Sequence, residues 1–116
     1  MKKSLFLLTC VLAVGCTKSA DKFVGTWVND DCGKDFPVKI FKDGDAYKLS
    51  YENVQARLLG QKNPKPVQKT LSVVDDKNLV IDGSGGMGVI KMVKDNEMFM
   101  NWFGCSNSSN YHKINN

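Results

Sequence analysis

Apolar and polar residues alternate with a period of two along much of the chain. Tyr47, Leu49 and Tyr51 alternate with Lys48 and Ser50, and Phe36, Val38 and Ile40 oppose Pro37 and Lys39. This is the pattern of strands with one face buried. It predicts strands over 23–29, 36–42, 46–51, 54–59, 67–74, 79–82, 89–94, 97–103 and 111–114. The segments between them carry turn chemistry. Asp43-Gly44 predicts a two-residue type I′ hairpin, which needs positive φ at its central positions. Asp75 to Asn78 and Asp95-Asn96 read as further turns, and the prolines of 60–66 exclude a central strand there. Beyond the first 15 residues no stretch of ten or more has a helical period. The fold class expected is all-β: a small antiparallel up-and-down meander of 8–9 strands that closes into a barrel and so removes its exposed edges. A sandwich is the alternative.

The first residues depart from this pattern. Lys2 and Lys3 precede an apolar run from Ser4 to Val14, too short to span a bilayer, and the run reads as a helical signal segment. Leu12-Ala13-Val14-Gly15-Cys16 resembles a bacterial lipobox, with a small residue directly before the cysteine. That resemblance implies cleavage after Gly15, a diacylglycerol on the Cys16 thiol and an acyl chain on the new amine. Together these chains anchor a protein stably, at about 0.8 kcal/mol per buried methylene. The expected organisation is a signal peptide over 1–15, an acylated tether over 16–22 and one domain over 23–116. Thr17 after the acylated cysteine implies the outer membrane, facing the periplasm.

Charge adds little. Of 16 Lys and Arg residues, Lys2 and Lys3 leave with the signal, so 14 face 12 Asp and Glu, a net of +2. Signs so interspersed argue against nucleic acid as a partner and against a polybasic membrane patch. The cysteines say more. With Cys10 removed and Cys16 acylated, Cys32 and Cys105 remain in an oxidising compartment and have one intramolecular pairing open to them. Zinc is the competing reading. It lacks ligands, because His112 is the only histidine and there is no CxxC.

Gly25-Thr26-Trp27, on the first strand of such a meander, resembles the G-x-W signature of the lipocalin (calycin) superfamily. In that family the tryptophan closes the barrel floor and a basic residue from the last strand packs over it. The resemblance implies barrel closure by Gly25, Trp27 and Lys113, with Lys113 as a cation–π partner where the family has arginine. Another closed or half-open β-meander remains the alternative.

Catalytic chemistry finds no support. Gly83 to Gly88 (GSGGMG) lacks the Gly-Lys-Ser/Thr of a phosphate loop, and Asp82 stands where a nucleophile elbow needs glycine. It reads as a mobile hairpin connection. Asp30, Asp31 and Asp35 match no calcium loop and read as a solvated acidic turn. Glu52 and Glu97 lack a glycosidase context. The expectation is a binding protein, not an enzyme, without cofactor or metal, and monomeric. The first reading is a periplasmic module that holds a small apolar or lipidic ligand in the barrel mouth. Trp27, Tyr47, Leu49, Tyr51, Met98, Met100 and Trp102 would line it. The second is an inhibitor, immunity or exclusion lipoprotein that binds an envelope-targeting protein through loops such as Gly83 to Gly88 or Gly60 to Pro66.

Overall fold

A computed structural model describes residues 19–101 and 109–114. Eight antiparallel strands follow one another around a closed barrel. They are β1 (Gly25–Asn29), β2 (Gly33–Asp43), β3 (Ala46–Tyr51), β4 (Val67–Asp75), β5 (Asn78–Ile81), β6 (Val89–Lys94), β7 (Glu97–Met100) and β8 (Asn110–Ile114). The all-β, up-and-down barrel expected from the alternation is therefore the observed fold.

Closure comes from β1 and β8. Trp27 pairs with Val38 on one side and with Lys113 on the other, so both edges of β1 are occupied. Inward positions follow the predicted period. Ile40 pairs with Leu49, Leu71 with Ile81, Ile90 with Met100 and Met98 with Tyr111, and all eight are buried. These rows form one cluster with Trp27, Val38, Tyr47, Leu79 and Met92, against which Tyr51 and Val73 pack.

The two ends differ. At one end, here the base, tight turns join β2–β3, β4–β5 and β6–β7. The base is closed by a 3-10 turn, Asp21–Phe23, with Ala20 and Phe23 buried beneath it. At the other end, the mouth, lie the connections β1–β2, β3–β4 and β5–β6.

Three expectations need correction. Residues 54–59 are not a strand: Val54–Leu58 form a short helix, α1. The Asn53 side chain accepts from Ala56 N at 3.0 Å, satisfying a donor that a helix start otherwise leaves unpaired. The alternation of Val54, Ala56 and Leu58 was an imitation of strand period by a segment that buries no side chain fully. Phe23 belongs to the base turn rather than to the first strand. The hairpin after β2 turns on Gly44 and Asp45, since Asp43 pairs with Ala46. Positive φ falls on Gly44 alone, the requirement of a II′ turn rather than a I′ turn. Of the expected strand 97–103, the part after Asn101 lies outside the described residues.

Candidate functional site

The base is organised by Trp27. It is fully buried, and its indole Nε1 donates to the Phe23 carbonyl at 2.8 Å. Because cross-strand partners share a face, pairing with Trp27 puts Lys113 beside the indole. Lys113 Nζ lies 5.2 Å from the ring centroid and donates to the Lys22 carbonyl at 2.8 Å. Gly25 makes room for that side chain. A Cβ there would sit 3.1 Å from Lys113 Cδ, and the backbone has φ of +148°, which an L side chain rarely adopts. The ring and the cation thus bind two successive carbonyls of the entering chain.

A second clasp holds the same turn. The Tyr47 hydroxyl accepts from Ala20 N at 3.1 Å and donates to the Asp21 carboxylate. Lys42 Nζ lies 3.9 Å from that carboxylate and 5.5 Å from the Tyr47 ring centroid. The Tyr47 hydrogen bond holds the Asp21 carboxyl below its ordinary range. Lys42 and Ser19 act in the same direction, and desolvation opposes them.

The interior holds the residues expected to line a ligand site. Trp27 and Leu49 are 0% exposed, Met98 and Met100 1%, and Tyr47 4%; all belong to the continuous core. Tyr51 packs against that core from a half-buried position. Trp102 lies outside the described residues. A void large enough for one water would leave accessible surface on the side chains around it, and Trp27, Tyr47, Leu49, Met98 and Met100 have almost none. Tyr111, buried on β8, has its hydroxyl pKa raised by desolvation, partly offset by a hydrogen bond with Asn29, which is itself buried. Lys69 pairs with Leu49, which places it on the inner face of β4, half-buried and toward the mouth. Its four methylenes can cover apolar neighbours while the ammonium reaches water.

The mouth carries the exposed apolar groups. Leu58 and Leu59 are each 80% exposed on the β3–β4 connection, and Met87 is 76% exposed on the β5–β6 loop. Neither connection is slack. Asn53 caps α1, Gln61 N donates to the Ala56 carbonyl at 3.1 Å, and Arg57 pairs with Glu52. In the glycine loop, expected to be mobile, the Ser84 hydroxyl donates to the Ile81 carbonyl at 2.6 Å and accepts from Gly88 N at 3.0 Å. One short side chain thus fixes both limbs of the loop.

The remaining sequence candidates sit apart from one another. His112 Nδ1 is 2.8 Å from Asp30 Oδ1, an exposed pair that ties β8 to the β1–β2 turn. Cys32 is disulfide-bonded. Cys105, its expected partner, and Cys16, the expected acylation site, lie outside the described residues. Among the described residues no group of three His, Cys, Asp or Glu could hold a metal ion, and no helix is long and apolar enough to cross a membrane. No family model, curated protein or solved structure matches this chain.

Sequence reasoning missed three contributors. The Tyr47–Asp21 clasp depends on barrel closure and has no local signature. Asn53 had one, an Asn directly before the short run Val54 to Leu59, which a glycine, Gly60, follows, the start and stop signals of a helix. Lys69 was legible from its register with Val67, Leu71 and Val73.

Proposed function

We propose that this protein is a lipid-anchored envelope module of lipocalin-like architecture that binds another protein with its outer surface. The observation behind this reading is the filled interior. Five of the side chains that would have to line a ligand cavity, Trp27, Tyr47, Leu49, Met98 and Met100, are 0–4% exposed and belong to one packed cluster. Binding sites for small apolar molecules are concave and largely pre-formed, which a closed-packed barrel of this size is not. Large apolar side chains stand instead on braced loops, where recognition of a macromolecule would use them.

The anchor would be Cys16, in its lipobox context. The G-x-W arrangement of Gly25 and Trp27, with Lys113 over the ring, supports the lipocalin-like assignment. The protein would act by occupying its partner, with no bond made or broken, as inhibitors, immunity proteins and exclusion factors do.

Native mass spectrometry of protein extracted from its own membrane tests the choice between ligand and partner. The expected spectrum has the mass of the acylated chain alone or with a protein partner. A stoichiometric small lipid retained inside the folded chain would overturn the reading and restore the apolar-ligand alternative.

A further inference from the structure

We propose that the mouth is the docking face, and that its partner is an envelope protein with an apolar cleft rimmed by carboxylates. This rests on the protein-binding reading above and specifies where and with what it operates.

The first observation is placement. The most exposed large apolar side chains among the described residues are Leu58, Leu59 and Met87, at 80%, 80% and 76%. All three lie on mouth connections, and β4 and β5, from which those connections lead, pair directly. Val93, at 61%, and Val74, at 47%, are smaller and sit on strands toward the base. The second observation is bracing. α1 is capped by Asn53, and the glycine loop is pinned by Ser84, so presenting these side chains costs little ordering entropy on binding.

The third observation decides between a lipid and a protein occupant. The chain enters the barrel at the base, where Ala20 is buried and its N–H is held by Tyr47. Only Thr17, Lys18 and Ser19 separate Ala20 from Cys16. The four Cα–Cα steps from Cys16 to Ala20 span at most roughly 13–14 Å, whereas strands of this length run about 17–20 Å. An acylated Cys16 therefore keeps the base toward the bilayer and points the leucines away from it. The fourth is charge. Within the β3–β4 connection Glu52 is matched by Arg57, and Lys62 and Lys65 are exposed cations a few residues beyond Leu59, whereas acidic groups on the other mouth connections are engaged, Asp30 with His112 and Asp82 with Ser72. A partner with acidic groups around its cleft complements that rim.

The test uses the full-length acylated protein in the intact envelope. A photo-crosslinking residue replaces Leu59 in one variant and Val93 in another. The expected result is a discrete protein adduct from position 59 and none from position 93. The adduct should disappear when Lys62→Glu and Lys65→Glu are added. With the partner purified, Leu58→Ala with Leu59→Ala should weaken binding about tenfold. An unchanged urea midpoint shows that these exposed substitutions leave the barrel folded. An adduct from position 93 alone would overturn the mouth as the docking face while sparing the protein-binding reading. Lipid adducts at position 59 would overturn the orientation. An adduct that survives charge reversal would overturn the acidic partner. No protein adduct from either position would overturn both readings.

Discussion

Lys113 lies over the Trp27 indole, 5.2 Å from its centroid, and the same ammonium binds the carbonyl of Lys22. The last described strand thereby holds the first turn of the domain against the barrel floor. Cation–π contacts of this kind contribute about 0.5–2 kcal/mol. Lys113→Met keeps most of the stem and removes the charge and the hydrogen bond. It should lower stability by about 1–2 kcal/mol, read as a fall in the urea midpoint. Lys113→Arg should retain most of it. Equal losses in Lys113→Met and Lys113→Arg would show that the charge over the ring contributes nothing.

Gly25 is required by that same contact. An added methyl meets Lys113 Cδ at 3.1 Å and forces a side chain onto a backbone with φ of +148°. Strain of this kind costs about 1–3 kcal/mol. Gly25→Ala should therefore destabilise more than an alanine at an open glycine. Gly44, with nothing within 4 Å of a built Cβ, has its own positive φ of +63° and serves as the control for conformation without contact. Denaturant curves of the two variants separate the steric from the conformational part. Equal midpoints would remove the steric argument.

The base should loosen in acid. Asp21 has a folded pKa lowered from 3.8, chiefly by the Tyr47 hydrogen bond. A depressed carboxylate pKa means that the unfolded chain binds the proton more readily. The contribution is fully present above the unfolded value and is lost as pH falls through the folded one. Stability should drop below about pH 4, and Asp21→Asn should flatten that part of the profile. Tyr47→Phe should do the same by removing the donor. A wild-type profile that Asp21→Asn leaves unchanged would refute this assignment.

Much of the barrel was legible in the sequence, because a period of two has one physical meaning where a strand is half-buried. Tyr47, Leu49 and Tyr51 follow it inward, and their pairing with Leu71, Lys69 and Val67 continues the face. The failure at 54–58 has an equally physical cause. Five residues are too few to separate a period of two from one of 3.6, and the side-chain cap of Asn53 decided the matter. The polar composition of Asp30 to Asp35 suggests an acidic turn through Asp35, but pairing of Gly33 with Asn29 draws Gly33 to Asp35 into β2 and leaves only 30–32 between the strands. The mouth face was legible only in part: Gly60 to Pro66 and Gly83 to Gly88 stand out as recognition loops, but the pattern assigns Leu58 and Leu59 to a strand. Exposed leucines look like core until the helix that carries them is seen to bury nothing fully.

Cys32 takes part in a disulfide, and the only cysteine of the expected mature chain left to pair with it is Cys105. A non-reducing peptide map should show those two cysteine peptides linked. Removal of a native disulfide from a small secreted domain costs about 2–5 kcal/mol. Cys32→Ser should therefore unfold at much lower urea than the oxidised parent and at nearly the same urea as the reduced one. A linked peptide containing Cys16 would contradict both the pairing and the acylation.

Leu49 offers the sharpest test of a filled interior. It is fully buried between Ile40 on β2 and Lys69 on β4. Leu49→Ala should cost about 2–5 kcal/mol, the size depending on how far the surrounding side chains relax into the gap. If the wild-type barrel is packed to its axis, it takes up no xenon and does not enhance a fluorescent fatty-acid probe. The variant, with an apolar gap of its own, should gain xenon binding. The opposite result is equally clear. A parent protein that binds the probe, and loses it in Leu49→Ala at a urea concentration where the variant is still folded, would mean that the barrel opens to ligands, and that the apolar interior rather than the loops carries the function.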